Sequence, residues 1–323
     1  MVRYLIAIVG ATGLVGATLL KIFEENNLEN CEIHLYASEK SANKKISFKN
    51  KHLIVRSLNE EIDFIYDYVF FMTDKDVTTK YIDKFINSLC IIDNSSAFRL
   101  NKNTPLIIPE INFESAKQSK IISNPNCTTA ICAIPIHLIA TNFGIQRLSV
   151  TTFQAVSGSG KKGLKALTDI KASQELYGTN IVQTCLPKIG VYARDNYTEE
   201  ECKIIDEMRK ILCNYDLQIS ATCVRIPVNN CHGASVSITI NKYCTIEKIK
   251  AILSASNQLE ILDDNQPPTA ILANNSNKVF LGRLRWDLSL DKTLLFFVYG
   301  DNLRRGAAYN AYRIMEYKIN DSM

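Results

Sequence analysis

Val9-Gly10-Ala11-Thr12-Gly13-Leu14-Val15-Gly16 decides the fold class. It follows the apolar run 4–9 and opens a helical pattern over 13–25, so it reads as the turn between a buried strand and a helix. The glycines are spaced G-x-x-G-x-x-G rather than G-x-G-x-x-G. Gly10 suits a tight turn, Gly13 lets backbone approach a pyrophosphate, and Gly16 lets the helix pack close to the strand. The helix N-terminus then offers free N–H groups and a positive dipole end to phosphates. The competing reading is a plain turn with incidental glycines; the flanking strand and helix favour a dinucleotide. No Gly-Lys-Ser/Thr follows, which excludes a P-loop. Arg3 and the run 4–20 have the outline of a signal peptide or membrane anchor. Three glycines and two threonines interrupt that run, no small-x-small site follows, and a charged helix continues over 21–25. A soluble strand–turn–helix is the better reading.

Outward from this turn, strand-like runs at 32–37, 68–71 and 90–93 alternate with helical patterns at 13–25 and 76–87. Buried strands separated by helices imply βαβ units and a parallel sheet. The pattern changes after Pro125. A helix over 127–142 leads into longer strands at 147–156, 220–225, 234–240 and 293–299, with helices at 198–212 and 246–254. These suit a mixed, partly antiparallel sheet packed against helices. Residues 304–317 carry apolar side chains at helical spacing and predict a final amphipathic helix.

The chain of 323 residues is long enough for two domains at about 150 residues each. Hydrophobic content of 46% and charged content of 22% exclude disordered, collagen-like and fibrous classes. A net charge of +4, with no basic run longer than Lys44-Lys45, argues against a nucleic-acid partner. The ten cysteines are scattered and include no C-x-x-C, so paired-cysteine metal sites are excluded and no metal is expected. Most thiols read as small buried hydrophobes in a reducing, cytoplasmic compartment.

Ser123-Asn124-Pro125-Asn126-Cys127-Thr128-Thr129 is the segment richest in chemistry. It places the Cys127 thiol where a polar loop enters an apolar helix. The helix dipole there favours thiolate and lowers the pKa from about 8.5. Cys132, further along, reads as core. A thiolate needs a proton-transfer partner, and the chain has four histidines. His34 lies in a predicted strand, and His52 precedes an exposed-looking run. His137 is ten residues along the helix from Cys127, roughly 15 Å away. His232, in Asn229-Asn230-Cys231-His232-Gly233, sits in a polar turn suited to an exposed functional side chain. Elimination makes it the candidate, against a silent loop histidine. Cys231 is a second candidate thiol without a helix N-terminus.

Together, the glycine turn, Asn126-Cys127-Thr128 and the Arg225-to-His232 spacing resemble the aspartate-β-semialdehyde dehydrogenases over nearly the whole chain. Further blocks that carry the resemblance are Asp93–Arg99, Ile108–Asn112, Phe153–Gly160, Glu200–Lys203, Gly282–Arg285 and Asp301–Ala308. Their order and spacing are specific. The resemblance implies a Rossmann-type NADP-binding domain over 1–127 and 304–323, and a mixed-sheet α+β domain for catalysis and dimerisation over 128–303. The implied reaction is the NADPH-dependent reductive dephosphorylation of L-aspartyl-4-phosphate to aspartate 4-semialdehyde in amino-acid biosynthesis, by a cytoplasmic homodimer. Cys127 would be the nucleophile, His232 the acid/base, and Gln154 the amide that orients the intermediate. Arg225 would take the substrate carboxylate, Arg99 and Lys203 the phosphate, and Glu200 the ammonium, with Asn126 also at the substrate. Cofactor contacts would come from Gly10, Thr12, Gly13, Leu14, Val15, Gly16, Ser38, Lys40, Ser41, Ser157, Gly158 and Asn302.

Two stretches depart from the family pattern. Phe71-Met72-Thr73-Asp74 stands where small residues and glycine are usual near the cofactor, and Pro187-Lys188 stands where a histidine commonly follows the proline. The nearest rival is an N-acetyl-glutamyl-phosphate reductase, whose nucleophile is usually flanked as Gly-Cys-Tyr. A glyceraldehyde-3-phosphate dehydrogenase shares Cys-Thr-Thr but lacks the arginine-to-histidine spacing, and a non-catalytic relative would have lost one of the three key residues. Around position 40 two neighbours disagree. Glu39 suits the ribose hydroxyls of NAD, and Lys40 between Ser38 and Ser41 suits the 2′-phosphate of NADP. The family position of Lys40 is usually arginine, so NADP is expected.

Overall fold

Strand β1 (Tyr4–Val9) sends Ile6 and Ile8 to one face and Ala7 and Val9 to the other, all four fully buried. A strand covered on both faces belongs in the middle of a parallel sheet. The computed structural model describes residues 4–26, 31–263 and 265–321; Arg3 lies outside them. The chain forms two compact units, one of Met1–Pro125 with Ala307–Met323 and one of Asn126–Gly306.

In the first unit β1 is followed by α1 (Leu14–Glu25), β2 (Cys31–Ala37), the hairpin of β3 (Lys45–Phe48) and β4 (Lys51–Ser57), and β5 (Tyr68–Phe71). Then come α2 (Lys75–Tyr81), β6 (Cys90–Asp93), α3 (Pro109–Asn112) and β7 (Ile121–Ser123). The sheet order is β3-β4-β2-β1-β5-β6-β7, parallel except for the β3–β4 pair. Strand order reverses between β1 and β5, the switch point where such sheets bind ligands at their carboxyl ends. One face packs Leu19, Leu20, Ile22 and Phe23 of α1 with Ala311, Ile314 and Met315 of the C-terminal helix Tyr309–Asp321. The other packs Tyr36, Tyr66, Phe71 and Phe85.

Several limits differ from the sequence reading. The helix expected at 76–87 is α2 followed by a 3-10 turn, Ile82–Phe85. The final helix starts at Tyr309, after a π-helical turn at Arg304–Ala308. The β3–β4 hairpin was not anticipated: its strands are short and partly exposed, which weakens the periodic signal.

The second unit begins with α4 (Cys127–Phe143), whose faces are almost all buried, followed by β8 (Ile145–Gln154), α5 (Gly160–Ala166) and α6 (Ile170–Tyr177). A small pair, β9 (Tyr192–Arg194) and β10 (Tyr197–Thr198), precedes α7 (Glu199–Ile211). Thr198 and Glu201 form a capping box that starts α7. β11 (Gln218–Arg225), β12 (His232–Ile240), α8 (Ile246–Ser254), β13 (Leu259–Ile261), α9 (Ala270–Ala273), β14 (Val279–Trp286) and β15 (Thr293–Gly300) complete it. The sheet runs β11-β8-β12-β15-β14-β13 and is mixed, with β8 parallel to β11 and antiparallel to β12. Among the described residues no helix is long and apolar enough to cross a membrane.

Candidate active site

The first unit holds a cavity of about 450 Å³ at the carboxyl ends of its strands, lined by Gly10, Thr12, Gly13, Ser38, Leu58, Met72, Thr73 and Tyr81 among others. Its floor is the glycine turn. Gly10 has φ +85°, and a Cβ there would lie 2.4 Å from the Met72 carbonyl oxygen, so only glycine fits. A Cβ on Gly16 would lie 2.4 Å from the Gly10 oxygen, so this glycine sets how closely α1 meets the turn. Leu14 and Val15 form the first turn of α1. Gly13 is its N-cap, with no side-chain cap and no acidic residue in that turn, which leaves the helix end suited to an anion. Met72 and Thr73, from the departing stretch, form the opposite wall, and Asp74 caps α2 by accepting the Val77 N–H at 3.0 Å. Ser38 and Lys40 are exposed and Ser41 half-buried, around the 3-10 turn Glu39–Ser41. Arg99, also in this unit, is buried and donates from Nε to the Asn124 carbonyl at 2.9 Å and from Nη2 to that of Asn94 at 2.7 Å.

In the second unit three expected residues form one row across the sheet. Arg225 on β11 pairs with Gln154 on β8, Gln154 pairs with His232 on β12, and His232 pairs with Gly300 on β15. Directly paired residues point to the same face. A Cβ on Gly300 would lie 2.8 Å from Cγ1 of Ile131, so α4 rests on that face. Cys127, four residues before Ile131, lies on the same side of α4 one turn earlier. The helix thus carries the thiol toward the row. Asn126 fixes the start of α4: its Oδ1 accepts the N–H groups of Thr128 and Thr129, and its Nδ2 donates to Glu200 Oε1 at 2.9 Å. Glu200 in turn lies 3.6 Å from Lys203, so this pair is part of the cluster rather than a solvated helix face.

His232 is not the exposed turn residue that its polar neighbours suggest. It is the first residue of β12 and has no exposed surface. Its Nδ1 accepts the Ala155 N–H at 3.0 Å, which leaves the neutral ring with its hydrogen on Nε2. That nitrogen has no hydrogen-bond partner among the described residues. Burial, and then the Arg225 guanidinium, push the pKa of His232 down to about 3. A Cβ on Gly158 would lie 2.9 Å from Arg225 Nη1 and 3.2 Å from His232 Nε2, so the loop after β8 closes over both. Arg225 Nη1 donates to the Ala155 carbonyl at 2.6 Å.

Of the other histidines, His34 contacts Tyr66 and Glu32, His52 contacts Ser47, and His137 contacts Thr141. The run after His52 is not uniformly exposed, since Val55 is fully buried. Cys132 is core, its pKa pushed up to about 12 by burial. Cys231 is also buried and its pKa is raised by desolvation, which removes it as a rival nucleophile.

Sequence reasoning missed how this site is braced. Glu207 is buried and accepts the Asn126 N–H at 2.6 Å. Cys231 adopts φ +75°, uncommon outside glycine, and its N–H donates to Asn302 Oδ1 at 2.9 Å. Asn302 Nδ2 donates to Ser157 Oγ at 3.0 Å. Asp301 accepts from Asn230 Nδ2 at 2.9 Å. The side chains of Ser157 and Asn302 therefore hold the segment that leads into His232. An ordinary glutamate on a helix gave no sign of this, and Ser157 and Asn302 were expected only as cofactor contacts.

Residues 5–119 match the family model described as semialdehyde dehydrogenase, NAD binding domain, and residues 135–305 match the one described as semialdehyde dehydrogenase, dimerisation domain. An aspartate-semialdehyde dehydrogenase of Aquifex aeolicus is 38% identical, over 99% of each chain. The chain belongs to the aspartate-semialdehyde dehydrogenases. An enzyme of that name from Bacillus subtilis is 34% identical over 96% of each chain. A crystal structure of aspartate semialdehyde dehydrogenase II from Vibrio cholerae, complexed with ASA, superposes with a TM-score of 0.93 at 30% identity, covering all of both chains. The fold of this family is the expected one, a parallel-sheet nucleotide domain with a mixed-sheet domain. The N-acetyl-glutamyl-phosphate reductase reading is not favoured.

Proposed function

We propose that this oxidoreductase converts L-aspartyl-4-phosphate to L-aspartate 4-semialdehyde with NADPH, through a thioester on Cys127. The row Arg225–Gln154–His232 beneath the start of α4 carries this reading. The Cys127 sulfur attacks the acyl carbon, the bond to phosphate breaks, and phosphate leaves with the electron pair. A nicotinamide dinucleotide supplies the hydride that takes the acyl carbon to the aldehyde level. The sulfur then departs as thiolate and the carbonyl reforms.

Gln154, beside His232 on the sheet, orients the acyl group. Arg225 holds the substrate carboxylate, Glu200 the ammonium, and Lys203 with Arg99 the phosphate. Asn126 acts at the substrate by fixing both Glu200 and the first turn of α4. His232 donates from Nε2 to the oxygen that becomes anionic. Taking up the thiol proton, the other half of its expected role, requires breaking the contact to the Ala155 N–H. The uncapped end of α1 and the glycine floor fit a dinucleotide pyrophosphate, held by Gly10, Thr12, Gly13, Leu14, Val15 and Gly16. Ser38, Lys40 and Ser41 meet the 2′-phosphate, and the loop of Ser157 and Gly158 with Asn302 meets the nicotinamide end. The match of 135–305 to a dimerisation domain supports a homodimer, and the biosynthetic reaction suits the cytoplasm.

The test is phosphate-dependent NADP reduction with aspartate semialdehyde. Cys127→Ala should abolish turnover while dinucleotide binding, followed by fluorescence titration, persists. Absence of wild-type activity in folded protein that binds NADP would overturn the assignment.

A further inference from the structure

Glu39 and Lys40 carry opposite preferences for the adenine ribose, and the fold treats them differently. Glu39 opens the 3-10 turn after β2, beside Ser38, the one residue of Ser38–Ser41 that lines the dinucleotide cavity. Its Oε2 accepts a short hydrogen bond from Ser57 Oγ and a second, at 3.4 Å, from Asn59 Nδ2. Ser57 ends β4, is buried, and pairs with Ala37 at the end of β2. Its hydroxyl oxygen also accepts the Asn59 N–H at 3.2 Å. Asn59 Oδ1 accepts from Tyr81 Oη at 2.9 Å, and Tyr81 is a wall of the cavity. Lys84 Nζ pins the same turn by donating to the Leu58 and Glu60 carbonyls at 2.8 and 2.9 Å. Glu39 and Lys40 are both exposed, but the Glu39 carboxylate is drawn toward β4 by a built set of donors.

We propose that Ser57 and Asn59 form a clasp that holds Glu39 away from the ribose and so sets the preference for a 2′-phosphorylated dinucleotide. The proposal rests on the NADP reading above. A released Glu39 would accept hydrogen bonds from both ribose hydroxyls and repel a 2′-phosphate; the clasped one can do neither. Preference in this chain thus depends on residues outside the loop Ser38–Ser41. Ser57 and Asn59 are positioning residues, acting only through Glu39.

The test is fluorescence titration of the full-length protein, without substrate, with NADPH and NADH, and with 2′,5′-ADP and 5′-AMP as adenosine-end probes. The double variant Ser57→Ala/Asn59→Ala should lower the NADPH-to-NADH affinity ratio about tenfold, the scale of one nearby like charge. The 2′,5′-ADP-to-5′-AMP ratio should fall in parallel. Adding Glu39→Gln should restore the wild-type ratio, which a merely structural effect of the double variant would not allow. An unchanged ratio in the double variant, or the same loss with Glu39→Gln present, overturns the clasp. A wild-type protein that prefers NADH overturns the NADP reading instead. The clasp is still judged by whether the double variant moves the ratio further toward NADH.

Discussion

The glycine turn of the first unit and the Arg225–Gln154–His232 row of the second are built in opposite ways. The turn is backbone: Gly10, Gly13 and Gly16 matter for the side chains they lack, and seven consecutive residues contain the device. The row is side chain: its members come from three strands, and strand register alone brings them abreast. A backbone site is robust to its surroundings but offers little chemistry beyond N–H groups. A side-chain row inside a sheet can hold a neutral imidazole beside a guanidinium, at the cost of burying both. Burial is what keeps the His232 ring neutral.

The largest expected break in this contrast is at the row. His232→Asn should reduce turnover by roughly 10²–10⁴, the reach of general acid–base catalysis, with dinucleotide affinity unchanged. A near-wild-type rate in the steady-state assay would return the proton donor to another group. Next is Arg225→Lys. An ammonium cannot reproduce a two-pronged contact, so KM for aspartate semialdehyde should rise about 10- to 100-fold. An unchanged KM would move the carboxylate site elsewhere.

The buried imidazole also has a cost at low pH. Its folded pKa of about 3 lies below the ordinary 6.5, so the unfolded chain binds the proton first. The stabilising contribution of the neutral ring is complete above pH 6.5 and is lost as pH falls toward 3. Between these values wild-type stability should fall faster than that of His232→Asn, by up to about 1.4 kcal/mol per pH unit. Urea denaturation of both proteins at pH 4.5, 5.5 and 6.5 measures this, and parallel slopes would rule it out.

The smallest effect belongs to the backbone site, where one side chain tunes what the glycines already hold. Lys40→Ala should raise the KM for NADP about three- to tenfold and leave that for NAD nearly unchanged, because one exposed charge contributes little. Equal weakening of both would place the 2′-phosphate elsewhere.

Residues 9–16 announced the strand, the turn and the helix, because the constraint on each glycine arises within a few residues of it. Asn126-Cys127-Thr128 was legible for the same reason: a capping asparagine and a helix start are local events. His232 was found by elimination, but its setting was misjudged. The polar neighbours Asn229 and Asn230 suggested an exposed turn, whereas the ring enters a sheet and is fully buried.

The sequence by itself determined the alternation of strands and helices before Pro125, the glycine turn, and the thiol at a helix start. Each follows from periodicity, glycine geometry or capping, which act over one or two turns of chain. Only the tertiary structure decided that Arg225, Gln154 and His232 stand abreast, that Glu207 holds the Asn126 N–H, and that Ser57 and Asn59 turn Glu39 aside. Those pairings join residues up to 81 positions apart. Strand register and helix packing fix them, and no local pattern records where a distant strand will lie.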